Sequence, residues 1–132
     1  MATTQEALHV STIVPNLTVD DLQKSITFYE ALGFAVDERW EDNGTLLGVM
    51  MRAGKNQLGL SQDDWKKGRA RKKGVGMRVF MSTTQDVDAV AKRAKGAGVT
   101  LTAEPHDTEW KSRAFDVTDP SGFQITISSE QL

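Results

Sequence analysis

Hydrophobic positions change period along the chain, and the changes mark its elements. Val10 to Leu17 is rich in Val, Ile and Thr and predicts a strand, with Pro15 at an edge or bulge position. Leu22, Ile26 and Tyr29, widened by Phe28 and Leu32, then recur at helical spacing. Asp20 is the expected N-cap, with Gln23 completing a capping box, and Gly33 the expected left-handed C-cap. Phe34 to Trp40 predicts a strand, and Asn43-Gly44 a type I′ hairpin turn. The return arm, Leu46 to Arg52, is apolar on both faces, so both of its faces need cover. After a turn at Ala53 to Asn56, Gln57 to Ser61 predicts a short strand. The first half therefore reads β-α-β-β-β.

The second half repeats it. Val75 to Ser82 predicts a strand and Asp86 to Ala97 a helix with Val87, Val90, Ala91, Ala94 and Ala97 inward. Val99 to Ala103 predicts a strand and Glu104 to Glu109 a loop. Trp110 to Val117 predicts a strand, Asp119-Pro120-Ser121-Gly122 a turn and Phe123 to Ser128 the last strand. Asp21 stands twelve positions before Gly33, and Asp86 twelve before Gly98, an offset of 65 between copies. Gln57 to Ser61 aligns with Gln124 to Ser128 at an offset of 67. Internal repetition of this kind implies a pseudo-twofold axis. The expectation is one α+β domain over 1–132, with module one at 10–61, a linker at 62–74 and module two at 75–128. One such unit leaves a sheet face bare; two can bury it or enclose a cavity.

Composition narrows the function classes. There is no cysteine, which removes disulfides, thiolate chemistry and Cys-based metal sites and fits a reducing cytoplasm. No apolar run approaches the roughly 20 residues of a membrane helix, so no membrane partner is expected. Lys66 to Arg78 holds seven bases and no acid. Lying midway between the copies without interleaved aromatics, it reads as a solvated linker rather than a nucleic-acid surface.

The string Asp21-Leu22-Gln23-Lys24-Ser25-Ile26-Thr27-Phe28-Tyr29-Glu30-Ala31-Leu32-Gly33-Phe34, the half-chain repeat and the Asp119-Pro120-Ser121-Gly122 turn resemble the vicinal oxygen chelate superfamily. That is the glyoxalase, bleomycin-resistance and extradiol-dioxygenase group, and the resemblance runs over about residues 10 to 128. It implies two half-barrels curled around a cavity with helices outside, and commonly a homodimer whose sites form between sheets. It also implies divalent-metal ligands in the first and last strand of each copy. Here those positions read Val14, Gly59, Val79 and Thr126, with no imidazole or carboxylate among them.

Other residues invite a chemical reading. His106 with Glu104, Asp107 and Glu109 forms a loose polar cluster. Trp40, Trp65 and Trp110 fall at strand ends and loops, where aromatics rim cavities and stack planar or cationic ligands. Gln57, Arg78, Arg113 and Asp116 are candidate polar anchors and Phe115 a candidate wall. The resemblance then implies a protein of the bleomycin-resistance branch, without cofactor or turnover, that sequesters an aromatic or cationic molecule at a dimer interface. A metal-dependent lyase, isomerase or dioxygenase with unorthodox ligands, and a structural module with a filled cavity, are the alternatives.

Overall fold

The structure, a computed structural model, describes residues 7–130. The chain runs β1 (Asn16–Val19), α1 (Leu22–Leu32), β2 (Ala35–Asp42), β3 (Thr45–Ala53) and β4 (Asn56–Gln62). It then repeats as β5 (Arg78–Thr83), α2 (Val87–Gly96), β6 (Leu101–Asp107), β7 (Arg113–Thr118) and β8 (Gln124–Ser129). Two four-stranded sheets result, ordered β1-β4-β3-β2 and β5-β8-β7-β6. The first strand of each lies parallel to the last, and the remaining neighbours are antiparallel. The paired β-α-β-β-β architecture is the one the repeat predicts.

Local chemistry sets the boundaries, and several differ from the sequence reading. The first strand begins at Asn16, not Val10, and Pro15 contributes only its carbonyl, which accepts from the Gly59 amide at 2.8 Å. Proline has no amide to donate to a ladder. In the second copy the strand begins at Arg78 because Gly74 and Gly76 both take left-handed angles. The N-cap of α1 is Asp21, accepting from the Lys24 amide at 3.1 Å, so the capping box from Asp20 does not form. The Gln62 side chain, arriving from β4, instead accepts from the Leu22 amide at 2.9 Å and donates to the Asp20 carbonyl at 2.8 Å. Gly33 is the left-handed C-cap, and Asn43 and Gly44 both have positive φ, as a type I′ turn requires. Strand β6 runs through Pro105 to Asp107, where a loop was expected; an edge strand tolerates proline. Trp110 falls in the turn before β7, not in the strand.

Each helix covers one face of its own sheet, and the two helices meet. Leu22, Ile26, Tyr29 and Leu32 of α1 and Val87, Val90, Ala91 and Ala94 of α2 pack on Val49, Met51, Leu58, Leu60, Phe115, Val117, Ile125 and Ile127. Strand alternation sends the intervening residues to the opposite face of each sheet. Among the described residues, no helix is long and apolar enough to cross a membrane.

Polar links join the modules. The Tyr29 hydroxyl donates to Asp119 and the Asp20 amide donates to the Ser121 hydroxyl at 2.8 Å, while Lys73 of the linker bridges Asp20 of the first module and Asp63. The basic segment is therefore only partly a solvated linker. Lys66, Lys67 and Lys72 are exposed, but the Lys73 side chain is 4 % exposed and its Nζ lies 2.9 Å from Asp63. Burial opposes its charge, yet hydrogen bonds to Asp20 and Asp63 outweigh that and raise its pKa, while Lys73 and the Trp65 amide hold Asp63 below the usual carboxylate range.

Candidate functional site

The helix-free face of the second sheet carries the site. Register places Arg78 beside Gln124, Phe80 beside Thr126, and Thr126 beside Asp116. His106 of β6 lies beside Ala114 of β7. These residues other than Gln124, with Thr108 and Trp110 from the turn before β7, line a cavity of about 170 Å³.

Its floor is a connected polar array. Arg78 Nη1 donates to Thr126 Oγ1 at 3.0 Å, and Thr126 Oγ1 donates onward to Asp116 Oδ1 at 2.7 Å. Arg78 Nη2 donates to Gln124 Oε1, and Arg78 Nη1 lies 3.7 Å from Asp116 Oδ1. Its walls are aromatic: Phe80 is 65 % and Trp110 51 % exposed, unusual for side chains of that size. His106 Nδ1 donates to the Glu104 carbonyl at 2.8 Å, since a carbonyl only accepts.

The candidates named from the sequence scatter. Arg78, Asp116 and Trp110 come together here. Gln57 donates to Asp37 Oδ2 at 2.8 Å on the first sheet and borders a second cavity, of about 320 Å³ at the seam between the sheets, which shares Phe80 with this one. Trp40 is on the bare face of the first sheet with its ring against Gly48, where a Cβ would meet Trp40 Cε3 at 3.2 Å. Trp65 lies apart from this cavity, in the linker, with Arg69 and Lys73 over its ring at 5.0 and 4.4 Å. Arg113 also lies apart from it: its guanidinium holds Asp88 of α2 at 2.9 and 3.0 Å and Asp107 at 3.2 Å, on the helix side. Phe115 is fully buried in the core, one residue out of phase with the cavity face. The acidic cluster around His106 also disperses: Glu104 pairs with Lys95 and Asp107 with Arg113. Sequence reading passed over Phe80 and Thr126 as binding residues. The signal was available, since both fall in phase with Arg78 and Gln124.

The positions proposed for metal ligands also shift. Val14 precedes β1, and Val79 pairs with the core residue Ile125 and is partly buried against the core. The neighbours of Gly59 and Thr126 are Asn16 and Phe80. At Gly59 a Cβ would fall 2.6 Å from Asn16 Oδ1, so the amide covers the glycine. The four places therefore hold an amide, a glycine, a phenyl ring and a hydroxyl already committed to Asp116. That donor set does not suit a divalent catalytic metal. Among the described residues, no three His, Asp or Glu side chains gather where a metal ion would be held.

The sequence matches the profile of the Glyoxalase/Bleomycin resistance protein/Dioxygenase superfamily over residues 8–127. No curated protein matches it in sequence. Among solved structures, a member of that superfamily from Sphaerobacter thermophilus is similar at 26 % identity, with TM-score 0.72, over 92 % of this chain and 98 % of that one. TioX from Micromonospora sp. ML1 is similar at 20 % identity, with TM-score 0.73, over 93 % and 100 %. The hypothetical protein SA1046 from S. aureus is similar at 20 % identity, with TM-score 0.71, over 92 % and 95 %.

Proposed function

This chain belongs to the Glyoxalase/Bleomycin resistance protein/Dioxygenase superfamily, and from that premise we propose that it is a binding protein that sequesters an aromatic small molecule without a metal. One observation carries the reading: the cavity face offers two exposed aromatic side chains, Phe80 and Trp110, around a hydrogen-bonded polar floor. Aromatic walls with a few placed polar groups are what small-molecule sites are made of. Where the resemblance expects a metal-binding acid or imidazole, the floor here has Thr126 and Phe80. Recognition then rests on shape, stacking and the polar array, and release follows mass action. The bleomycin-resistance branch is the part of the superfamily this reading resembles.

The cavity is smaller than the roughly 300–1,000 Å³ of typical ligand sites, which supports a second copy of the chain as its other wall. The bare face of the first sheet, with Trp40 and Met50, is the surface of the right kind to supply it. A chain without cysteine suits a cytoplasmic setting.

The test is a thermal-shift screen across planar aromatic compounds of varied charge, with elemental analysis of the purified protein and its mass by light scattering. A ligand at 100 times its Kd should stabilise the fold by about 2.7 kcal/mol. Stoichiometric transition metal in the purified protein, or no shift with any aromatic compound, would overturn the reading.

A further inference from the structure

The cavity floor contains a cation of its own at the place where the resemblance expects a metal. Arg78 sits two residues before Phe80 on β5, on the same face, and its guanidinium is tied to Gln124 and Thr126. Thr126 occupies the last-strand position at which a metal-ligating carboxylate is expected. The guanidinium is thus fixed beside that position by the residue that stands in the ligand's place.

A guanidinium carries five N–H donors in a rigid fork. Nη1 and Nη2 each engage one here, and the remainder have no partner among the described residues. Asp116 is the opposing charge in the cavity, but its Oδ1 already accepts the Thr126 hydroxyl and lies 3.7 Å from Arg78, beyond hydrogen-bond length. Its effect is to hold Thr126 and orient the fork rather than to cover it. His106 is the other titratable lining group, and its Nδ1 proton is directed to the Glu104 carbonyl.

Resting on the binding role proposed above, the geometry points to an aryl carboxylate as the ligand class. Its ring lies against Phe80 and Trp110, and its carboxylate accepts from the unengaged N–H groups of Arg78. Arginine matches a planar carboxylate with two parallel hydrogen bonds, which a cationic or neutral ligand does not receive. Arg78 thereby does by hydrogen bonding what a metal at this place would do by coordination: it gathers the ligand's anionic oxygens at the cavity floor.

Calorimetric titration of the full chain with 2-naphthoate, 2-naphthamide and 2-naphthylmethylammonium tests this. The expected result is binding of 2-naphthoate at least about tenfold tighter than of either other probe. Arg78→Met should remove that preference, and Arg78→Lys should keep part of it. The comparison among probes on the unsubstituted protein stands even if the Arg78 variants fold poorly. Equal or tighter binding of the ammonium or the amide, or an unchanged preference in Arg78→Met, would overturn the aryl-carboxylate assignment and leave the pocket intact. Failure of all three probes to bind would overturn the pocket itself and this assignment with it.

Discussion

The Tyr29 hydroxyl donates to Asp119 Oδ2 at 2.8 Å, joining the helix of the first module to the last turn of the second. Both residues are buried. Asp119 Oδ1 meanwhile accepts from the amides of Ser121, Gly122 and Phe123, so one carboxylate shapes its own turn and anchors a distant helix. Removing only the hydroxyl isolates the second task. Tyr29→Phe keeps the edge-on ring contacts to Phe28 and Phe34 and leaves one carboxylate oxygen without its donor. The expected loss is about 1.5–3 kcal/mol, the range for hydrogen bonds to charged groups. Urea denaturation at constant m value measures it.

Tyr29 also predicts an alkaline limit. Burial, reinforced by the charge of Asp119, pushes its phenol far above the ordinary value. A phenol that stays protonated in the folded state but ionises near pH 10 in the unfolded state stabilises the fold fully below pH 10. That contribution falls as pH rises beyond it. The wild-type protein should therefore lose stability above about pH 10 more steeply than Tyr29→Phe, as denaturant midpoints against pH will show. Parallel curves would mean the phenol is not held neutral.

The acid limit belongs to Asp63. Lys73 and the Trp65 amide lower its pKa, so its contribution is present above the ordinary carboxylate pKa and is lost as pH falls through the lower, folded-state value. Asp63→Asn should be less stable than wild type at pH 7, and the gap should narrow below about pH 4 as the wild-type carboxylate protonates. A gap of constant size from pH 7 to pH 2 would contradict the assignment. Salt should reduce it less than for the exposed pair Lys95–Glu104, because burial limits screening.

Gly74 fixes how the linker enters the second module. It has φ +78°, and a Cβ there would lie 2.3 Å from the Gly122 carbonyl oxygen. Both the left-handed angle and the contact with rigid backbone resist a side chain. Gly74→Ala should cost on the order of 2–4 kcal/mol. Gly59→Ala is the contrast: the atoms nearest its Cβ belong to the Asn16 side chain, Oδ1 at 2.6 Å, which can turn away where backbone cannot, so its cost should be smaller. Thermal unfolding of the two variants side by side distinguishes them.

The repeat made the fold legible. Asp21 to Gly33 and Asp86 to Gly98 carry their caps and helical periods within a dozen residues, so local sequence places both helices. The site was harder to read because it depends on phase. Between copies the first strands differ by one residue: Asn16 pairs with Gly59, but Phe80 pairs with Thr126. Counting back from the helices by a constant offset therefore selected Val79, on the core side, and missed Phe80 beside it. The same one-residue parity sent Phe115 into the core while Asp116 faces the cavity. The pairings of Trp65 and Arg113 were not legible either: Lys73 folds back over Trp65 within the linker and Asp88 reaches Arg113 from α2, and single-sequence periodicity pairs neither.

If phase alone separates this cavity from a metal site, restoring donors in phase should restore metal binding. Phe80 and Thr126 are direct neighbours on parallel strands, facing the same side, and His106 lines the same cavity. The double variant Phe80→His/Thr126→Glu adds an imidazole and a carboxylate there, which with His106 makes the three protein ligands usual for an open zinc site. Arg78 would repel the ion, so a triple variant that adds Arg78→Ala should bind more tightly still. Calorimetric titration with Zn²⁺ or Ni²⁺ should show one saturable site per chain in both variants. If the double variant also loses affinity for 2-naphthoate once metal is bound, the ion and the aryl ligand compete for one floor. Absence of saturable metal binding in both variants would show that Phe80, Thr126 and His106 do not converge as the strand register places them.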